Sequence, residues 1–217
     1  MSKGIIFYTD NKVPEKIANE VYSCLAASQL PAISVSINGP CPYGQNFVKD
    51  WERGPLTMFK QQLYALENSD ADIIFMCEAD VLYPKEHFDF TPPRKDLFYY
   101  NNNWWSVGRG DKAVTWDANR VSQLCCYREH ALEFYRKRVK QIEEQGFDRS
   151  YEPGGRDASL YERWESTIPT IDIMHGNNLT ARKWTADDFR DKSTGQNFKE
   201  TTIDKIPGWQ NLKEVIL

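Results

Sequence analysis

The chain has 217 residues, of which 41% are hydrophobic, and a formal net charge of −4 at pH 7. This length predicts one well-packed domain, and the negative charge argues against a large nucleic-acid-binding surface. No apolar run approaches the length of a membrane span, the N-terminal residues do not resemble a secretion signal, and the five cysteines form no CxxC pair. We therefore expect a cytoplasmic protein with reduced cysteines and without a zinc site.

The N-terminal half alternates strand-like and helix-like segments, an order typical of a parallel sheet whose strands are connected by helices. Short apolar or alternating runs predict the strands, and apolar residues spaced three or four apart predict the helices. The resulting order is β-α-β-α-β. The predicted segments are a strand over 4–8, a helix carrying Ile17, Val21 and Leu25, a strand over 32–37, an irregular loop over 41–53, a helix opened by Gly54 and Pro55, and a strand over 72–77.

The C-terminal half is less regular, and its segments are shorter. They are predicted as strands over 98–100 and 122–126, a basic helix carrying Leu132, Tyr135, Val139 and Ile142 that ends near Gly146, a glycine-rich turn over 151–157, a short helical segment over 158–164 and a strand over 170–174. We place one domain over residues 1–185. Residues 186–217 are polar and weakly periodic, which predicts a tail that packs on this domain.

Two carboxylates one residue apart, Glu78 and Asp80, follow the central predicted strand. Side chains at positions i and i+2 of an extended chain point to the same side, so both carboxylates would face one pocket. Paired hard oxygen ligands suit Mg²⁺ or Mn²⁺, which complete their coordination with water and phosphate oxygens. An isolated pair of this kind is more often a solvated acidic turn, so neighbouring residues have to support the metal hypothesis.

Further polar residues follow other predicted strands. Thr9 and Asp10 close the first strand, Asn38 closes the second, and His175 follows the strand over 170–174. Ligands of open α/β sheets bind beyond the carboxyl ends of the strands, so we expect the residues at these ends to converge with the carboxylate pair. Imidazole beside two carboxylates suits Mn²⁺, and Mg²⁺ would accept the same site with more water.

This combination resembles the GT-A-fold glycosyltransferases that use nucleotide sugars, in particular their small, family-2-like members. The resemblance rests on Thr9 and Asp10, on the acidic-x-Asp motif over residues 78–80 and on His175, and it extends to about residue 180. It implies a single Rossmann-like α/β domain with a central, mostly parallel mixed sheet flanked by helices. It also implies metal-dependent transfer of a sugar from a nucleoside-diphosphate sugar, with a UDP-sugar as the expected donor, to a hydroxyl acceptor.

The resemblance also assigns roles to individual residues. This chain has Glu where Asp is the commoner first residue of the motif. The implied metal ligands are Glu78, Asp80 and His175, and the implied nucleotide-sugar contacts are Thr9, Asp10, Asn38 and Asp80. A transferase that inverts the sugar centre needs a carboxylate to deprotonate the acceptor, and Asp157 and Glu152 in the glycine-rich turn are the candidates. A retaining enzyme needs no base there.

The acceptor side is predicted only in outline. Trp104 and Trp105 follow the acidic motif and, together with the asparagines at 101–103, are candidates for the walls of an acceptor site. Surface glycans, lipid-linked sugars, small metabolites and hydroxymethylated DNA bases are the open alternatives for the acceptor, and a DNA acceptor would need a basic groove. The basic residues available for such a groove are Arg136, Lys137, Arg138 and Lys140. Arg53, Arg94 and Arg109 could assist the diphosphate, but we interpret them as surface ion-pair formers.

Two other classes of protein remain open at this point. A sugar nucleotidyltransferase would also use metal-binding carboxylates, but it would need a glycine-rich phosphate loop after the first strand, and residues 9–12 contain no glycine. A non-catalytic carbohydrate-binding protein would explain the aromatic residues. It would not explain three convergent metal ligands.

Overall fold

The apolar runs of the sequence form the strands of two sheets in a computed structural model of the chain, which describes residues 1–108, 110–154, 157–179 and 196–216. The strands are β1 (Lys3–Thr9), β2 (Ala32–Ser36), β3 (Gln45–Val48), β4 (Ile73–Glu78), β5 (Val81–Leu82), β6 (Phe98–Asn101), β7 (Trp104–Val107), β8 (Lys112–Thr115), β9 (Leu124–Tyr127), β10 (Tyr161–Trp164), β11 (Thr170–Ile173) and β12 (Lys199–Thr202). The α-helices are α1 (Glu15–Ala27), α2 (Pro55–Glu67), α3 (Arg128–Gln145) and the short α4 (Leu212–Ile216).

Seven strands form a central sheet in the order β10-β6-β9-β4-β1-β2-β3. Every neighbouring pair in it is parallel except the two pairs made by β9, which runs antiparallel to β4 and β6. A mostly parallel sheet is buried on both faces, and this explains why β1 and β4 are almost continuously apolar. The predicted α/β class with a mixed, mostly parallel sheet is confirmed.

The two faces of β1 serve two different hydrophobic cores. Ile6 and Tyr8 point to the face covered by α2 and α3, while Ile5 and Phe7 point to the opposite face. This division follows from the two-residue period of a strand. The opposite face is covered by α1 and by residues of a second sheet, so helices lie on both sides of the central sheet.

The second sheet contains five strands in the order β12-β8-β7-β11-β5 and was not predicted from the sequence. Only Ala79 and Asp80 separate β4 of the central sheet from β5 of the second sheet, so the chain passes from one sheet to the other at the acidic motif. The backbone N–H of Ile173 in β11 donates to the carbonyl of Asp80 at 2.8 Å and fixes this crossing.

Two local predictions are wrong. The loop predicted over 41–53 contains β3, which is the parallel edge strand of the central sheet. Residues 161–164 were predicted to be helical but form β10, because they pair in parallel with β6 at the other edge. Single edge strands bury only part of their surface and therefore carry a weak apolar pattern.

The C-terminal segment packs on the rest of the chain as far as it is described. Its strand β12 pairs antiparallel with β8, and three of its apolar residues belong to the core beside α1, namely Ile203, Ile206 and Leu212. The predicted boundary between residues 185 and 186 lies outside the described residues. No described helix has the length and apolar character required to cross a membrane.

Candidate active site

The carboxyl ends of β1 and β4 open into a cavity of about 360 Å³. The two sheets and the first turns of α2 enclose it, at the position where ligands of open α/β sheets bind. Its polar and aromatic lining residues are Tyr8, Thr9, Asp10, Arg53, Thr57, Gln61, Glu78, Asp80, Ser106, Trp116, Arg120, Asp172, His175, Asn177 and Asn178. The predicted convergence of strand-end residues is therefore found for Thr9, Asp10, Glu78, Asp80 and His175.

The loop after β1 is held in place by amide side chains. Gln61 in α2 donates from Nε2 to the carbonyls of Thr9 at 2.8 Å and of Val35 at 2.9 Å. Asn38 lies beside the cavity lining, and its Nδ2 donates to the carbonyl of Asp10 at 3.0 Å. Asn38 therefore positions Asp10, and its backbone adopts the left-handed conformation with φ of 61° that asparagine tolerates.

Arg53, interpreted from the sequence as a surface ion-pair former, does form an ion pair, and it connects two loops at the cavity mouth. Its Nε pairs with Asp10 Oδ2 at 2.5 Å, and its terminal nitrogen donates to the carbonyl of Asn177 at 2.6 Å. Asn177 Nδ2 in turn donates to the carbonyl of Lys12 at 3.0 Å. The loop after β1 and the loop after β11 are consequently held together. Arg94 also forms the expected surface ion pair, with Asp96. Arg109 lies outside the described residues.

Glu78 is the first carboxylate of the acidic motif and is turned toward Tyr8. The two residues are direct neighbours in the register of β1 and β4, and the Tyr8 hydroxyl donates to Glu78 Oε1. Burial and the nearby charge of Asp80 raise the pKa of Glu78 to about 7, against the smaller opposing effect of the Tyr8 hydrogen bond. Glu78 is therefore partly protonated at neutral pH.

Asp80 and His175 lie side by side. His175 Nε2 is 3.4 Å from Asp80 Oδ2, and Asn178 connects the pair because its Nδ2 donates to Asp80 Oδ2 at 2.8 Å while its Oδ1 accepts the His175 backbone N–H at 2.9 Å. Asp80 and His175, two of the three predicted metal ligands, therefore lie close together. Among the described residues, no group of three or more histidine, cysteine, aspartate or glutamate side chains is arranged to hold a metal ion.

A largely buried arginine, which no sequence pattern predicts, lines the cavity. Arg120 pairs with Asp172 in β11, and its guanidinium lies 3.8 Å from the ring centroid of Trp104 and 5.0 Å from that of Trp116. Burial lowers the pKa of Arg120 to about 10, although the carboxylates of Glu78 and Asp80 act in the opposite direction. Arg120 and Asp172 are distant in the chain and belong to no short motif, so no sequence pattern indicates their pairing.

The two tryptophans predicted as acceptor walls, Trp104 and Trp105, do not line the cavity. Trp104 is fully buried beneath Arg120, and Trp105 packs against the core beside α1, so neither ring lines the cavity. Among the described tryptophans, Trp116 lines it instead. Its edge-to-face contact with Trp104, at 4.6 Å between centroids, orients it.

The two predicted bases also lie off the cavity lining. Asp157 is exposed and caps a short helical turn by accepting from the backbone N–H and the hydroxyl of Ser159, which lowers the pKa of its carboxyl. Glu152 is half-buried, and its charge contributes to the raised pKa of Glu78. Asp157 is therefore occupied as a cap, while Glu152 acts electrostatically on the site.

No protein-family model matches the chain, and a search of curated proteins found no match. Solved structures do match. A glycosyltransferase involved in the glycosylation of the major capsid of PBCV-1 aligns with a TM-score of 0.52 at 9% identity, covering 82% of this chain and 95% of that one. TarS 1-349 of S. aureus in complex with UDP-GlcNAc aligns with a TM-score of 0.51 at 12% identity, covering 88% of this chain and 64% of that one. A complex of the same TarS fragment with UDP aligns at 0.50. The chain therefore has the fold of a glycosyltransferase.

Proposed function

We propose that this chain is a glycosyltransferase that moves a sugar from a nucleoside-diphosphate sugar to a hydroxyl acceptor, with a UDP-sugar as donor. The observation that carries the proposal is the cavity at the carboxyl ends of β1 and β4, which combines an acidic motif with the fold of glycosyltransferases. The UDP and UDP-GlcNAc complexes of TarS support the choice of nucleotide.

The charge of the cavity supports a requirement for a divalent cation. Four carboxylates line it, from Asp10, Glu78, Asp80 and Asp172, against two guanidinium groups, from Arg53 and Arg120. Two negative charges therefore remain when all four carboxylates are ionised and His175 is neutral. A nucleoside diphosphate is itself an anion, and such a cavity repels it unless a cation compensates the charge.

Mg²⁺ or Mn²⁺ fits this donor set, because hard carboxylate oxygens are the ligands both ions prefer. Asp80, and Glu78 in its ionised form, would hold the ion. When bound, it would neutralise charge developing on the departing diphosphate. The N-terminus of α2, whose first turns line the cavity from Gly54 to Gln61, adds positive potential for the same phosphates.

The protein side chains would bind and orient the donor. Gln61, Asn38 and Arg53 fix the loop that presents Thr9 and Asp10 to the nucleotide. For an inverting reaction the acceptor proton needs a carboxylate inside the cavity, and there we propose Asp172 in place of Asp157. Glu152 stays as the second candidate, since its charge reaches Glu78.

We propose a glycan rather than a DNA base as the acceptor. Three of the basic residues considered for a DNA groove lie on α3 with partners of their own: Arg136 pairs with Glu67, Arg138 bonds to Gln141, and Lys140 pairs with Glu144. No described residue of α3 lines the cavity. We place the reaction in the cytoplasm, a proposal supported by all five cysteines being free thiols.

Calorimetric titration with UDP tests the donor half of the proposal. Binding is expected with Mg²⁺ or Mn²⁺ and is expected to fall at least tenfold in EDTA or in Asp80→Asn. Asp96→Asn, an exposed aspartate paired with Arg94, is the matched control and should bind as the wild type does. Equal affinity in EDTA would remove the metal from the proposal.

Product analysis separates the classes of activity. A transferase releases UDP from a UDP-sugar in the presence of a glycan acceptor. Pyrophosphate release from UTP and a sugar 1-phosphate would instead identify a nucleotidyltransferase. A protein that binds glycans but no nucleotide would be a carbohydrate-binding protein, and the proposal would then be wrong.

A further inference from the structure

The imidazole of His175 is held by the turn that follows β11. The backbone N–H of Asn177 donates to His175 Nδ1 at 3.2 Å, and the backbone N–H of His175 donates to Asn178 Oδ1 at 2.9 Å. The same Asn178 donates to Asp80, so the ring and the carboxylate are positioned by one residue. The side chain of His175 is only 6% exposed, which leaves its ring little freedom to turn.

These contacts determine which ring nitrogen carries the proton. A nitrogen that accepts an N–H must present a lone pair, so Nδ1 is unprotonated. In a neutral imidazole the proton then resides on Nε2. Histidines that bind metals usually show the reverse arrangement, with the other ring nitrogen donating its N–H to an acceptor. Metal binding through Nε2 would place an N–H on Nδ1 directly against the N–H of Asn177.

The Nε2–H group has no hydrogen-bond partner within the described parts of the chain, although it is buried. Asp80 Oδ2 is its nearest ion-pair partner, and the distance of 3.4 Å lies beyond the usual range for an N–H···O bond. Buried polar groups are nearly always paired. His175 is one of the residues that line the cavity, so its unpaired donor indicates a ligand oxygen that is supplied by the substrate.

We propose that His175 does not bind the metal and instead donates a hydrogen bond from Nε2–H to a phosphate oxygen of the nucleoside diphosphate. Asn177 and Asn178 are the positioning residues that set its tautomer and its distance from Asp80. The identity of the ligand rests on the proposed function. The tautomer rests only on the geometry of the turn.

Nitrogen-15 NMR of the imidazole rings tests the tautomer. Three histidines are present, and the spectrum of His175→Gln identifies the signals of His175 by their loss. At a pH where the ring is neutral, His175 is expected as the Nε2–H tautomer without ligand, and it should keep this form with Mg²⁺ and UDP. The Nδ1–H tautomer in either sample would overturn the proposal.

UDP titrations of two variants test the ligand. His175→Leu removes the donor and should weaken UDP binding about tenfold, the size expected for one hydrogen bond to a charged group. His175→Gln, which keeps an N–H donor, should lose less affinity. The Mg²⁺ concentration that half-saturates UDP binding should stay within about twofold in both variants, and His130→Gln on α3 is the control.

Two results would contradict the proposal in different ways. A shift of that Mg²⁺ concentration by tenfold or more in both His175 variants would identify a metal ligand. Absence of UDP binding by the wild-type protein would overturn the phosphate contact together with the proposed function, while the NMR result would still decide the tautomer.

Discussion

Glu78 is a carboxylate that the fold removes largely from water. Its ordinary pKa of 4.5 rises to about 7, mainly because of burial and then because of the charge of Asp80. Between these two values the folded protein binds a proton that the unfolded chain does not bind. Stability therefore falls as the pH rises through this window, and below pH 4.5 the effect disappears because both states are protonated.

This linkage predicts the behaviour of Glu78→Gln. The substitution keeps an oxygen that accepts the Tyr8 hydroxyl but removes the ionisation, so the variant should gain stability relative to the wild type between pH 4.5 and pH 8. The expected gain is on the order of 2–3 kcal/mol. Urea unfolding at both pH values in EDTA measures it. A difference between the two proteins that does not change with pH would show that Glu78 titrates normally.

At the scale of elements, one ion pair connects parts of the two sheets. Arg120 precedes β9 of the central sheet, and Asp172 lies in β11 of the second sheet. Both side chains are largely buried although they line the cavity, and the guanidinium packs on the ring of Trp104. Removing one member of such a pair leaves a buried charge without compensation, and this costs more than removing both.

A double-mutant cycle tests this connection. Arg120→Met should destabilise the protein by about 3–5 kcal/mol. Asp172→Leu should restore part of that loss in the double variant, with a coupling of roughly 1–3 kcal/mol. Chemical denaturation of the four proteins measures the coupling. The exposed pair of Arg136 and Glu67 provides the control cycle, whose coupling should be near zero. Strictly additive losses for Arg120 and Asp172 would refute the connection.

The C-terminal helix α4 also stabilises the fold, through apolar contacts with the core. Leu212 of α4 is 3% exposed and belongs to the core cluster that also contains residues of α1. Leu212→Ala should lower the free energy of unfolding by about 2–4 kcal/mol. Leu160→Ala, at a leucine that is 46% exposed, should change it by less than about 0.5 kcal/mol. Equal effects of both substitutions would show that the tail does not complete the core.

At the scale of the whole molecule, the sequence predicted the central sheet better than the second one. Segments such as β1, α1 and α2 bury continuous or periodic apolar faces, and these patterns are visible locally. The strands of the second sheet are two to four residues long, and except for the neighbouring β7 and β8 their partners are remote in the chain. A pattern that short fits several structures equally well.

The visibility of local apolar patterns also explains which site residues could be predicted from the sequence. Residues at or just after the ends of strands with a clear apolar pattern could be predicted to meet in one cavity. These residues are Thr9, Asp10, Glu78, Asp80 and His175. Asp172 lies inside β11 rather than at its end, and Arg120 lies in the connection before β9, so the position of strand ends points to neither residue. The hydrogen bonds that fix the His175 ring depend on the geometry of a turn, which no residue pattern specifies.

The contact between Trp104 and Trp116 provides an optical reporter of ligand binding. Trp104 is inaccessible to solvent, whereas its edge-to-face partner Trp116 borders the cavity. Among the tryptophans in the described parts of the chain, only Trp116 would lose contact with water when a ligand fills the cavity, so UDP with Mg²⁺ should shift the tryptophan emission of the protein. The shift should vanish in Trp116→Phe and persist in Trp209→Phe, whose ring donates to Pro169 elsewhere. Persistence of the shift in Trp116→Phe would place the nucleotide away from this wall.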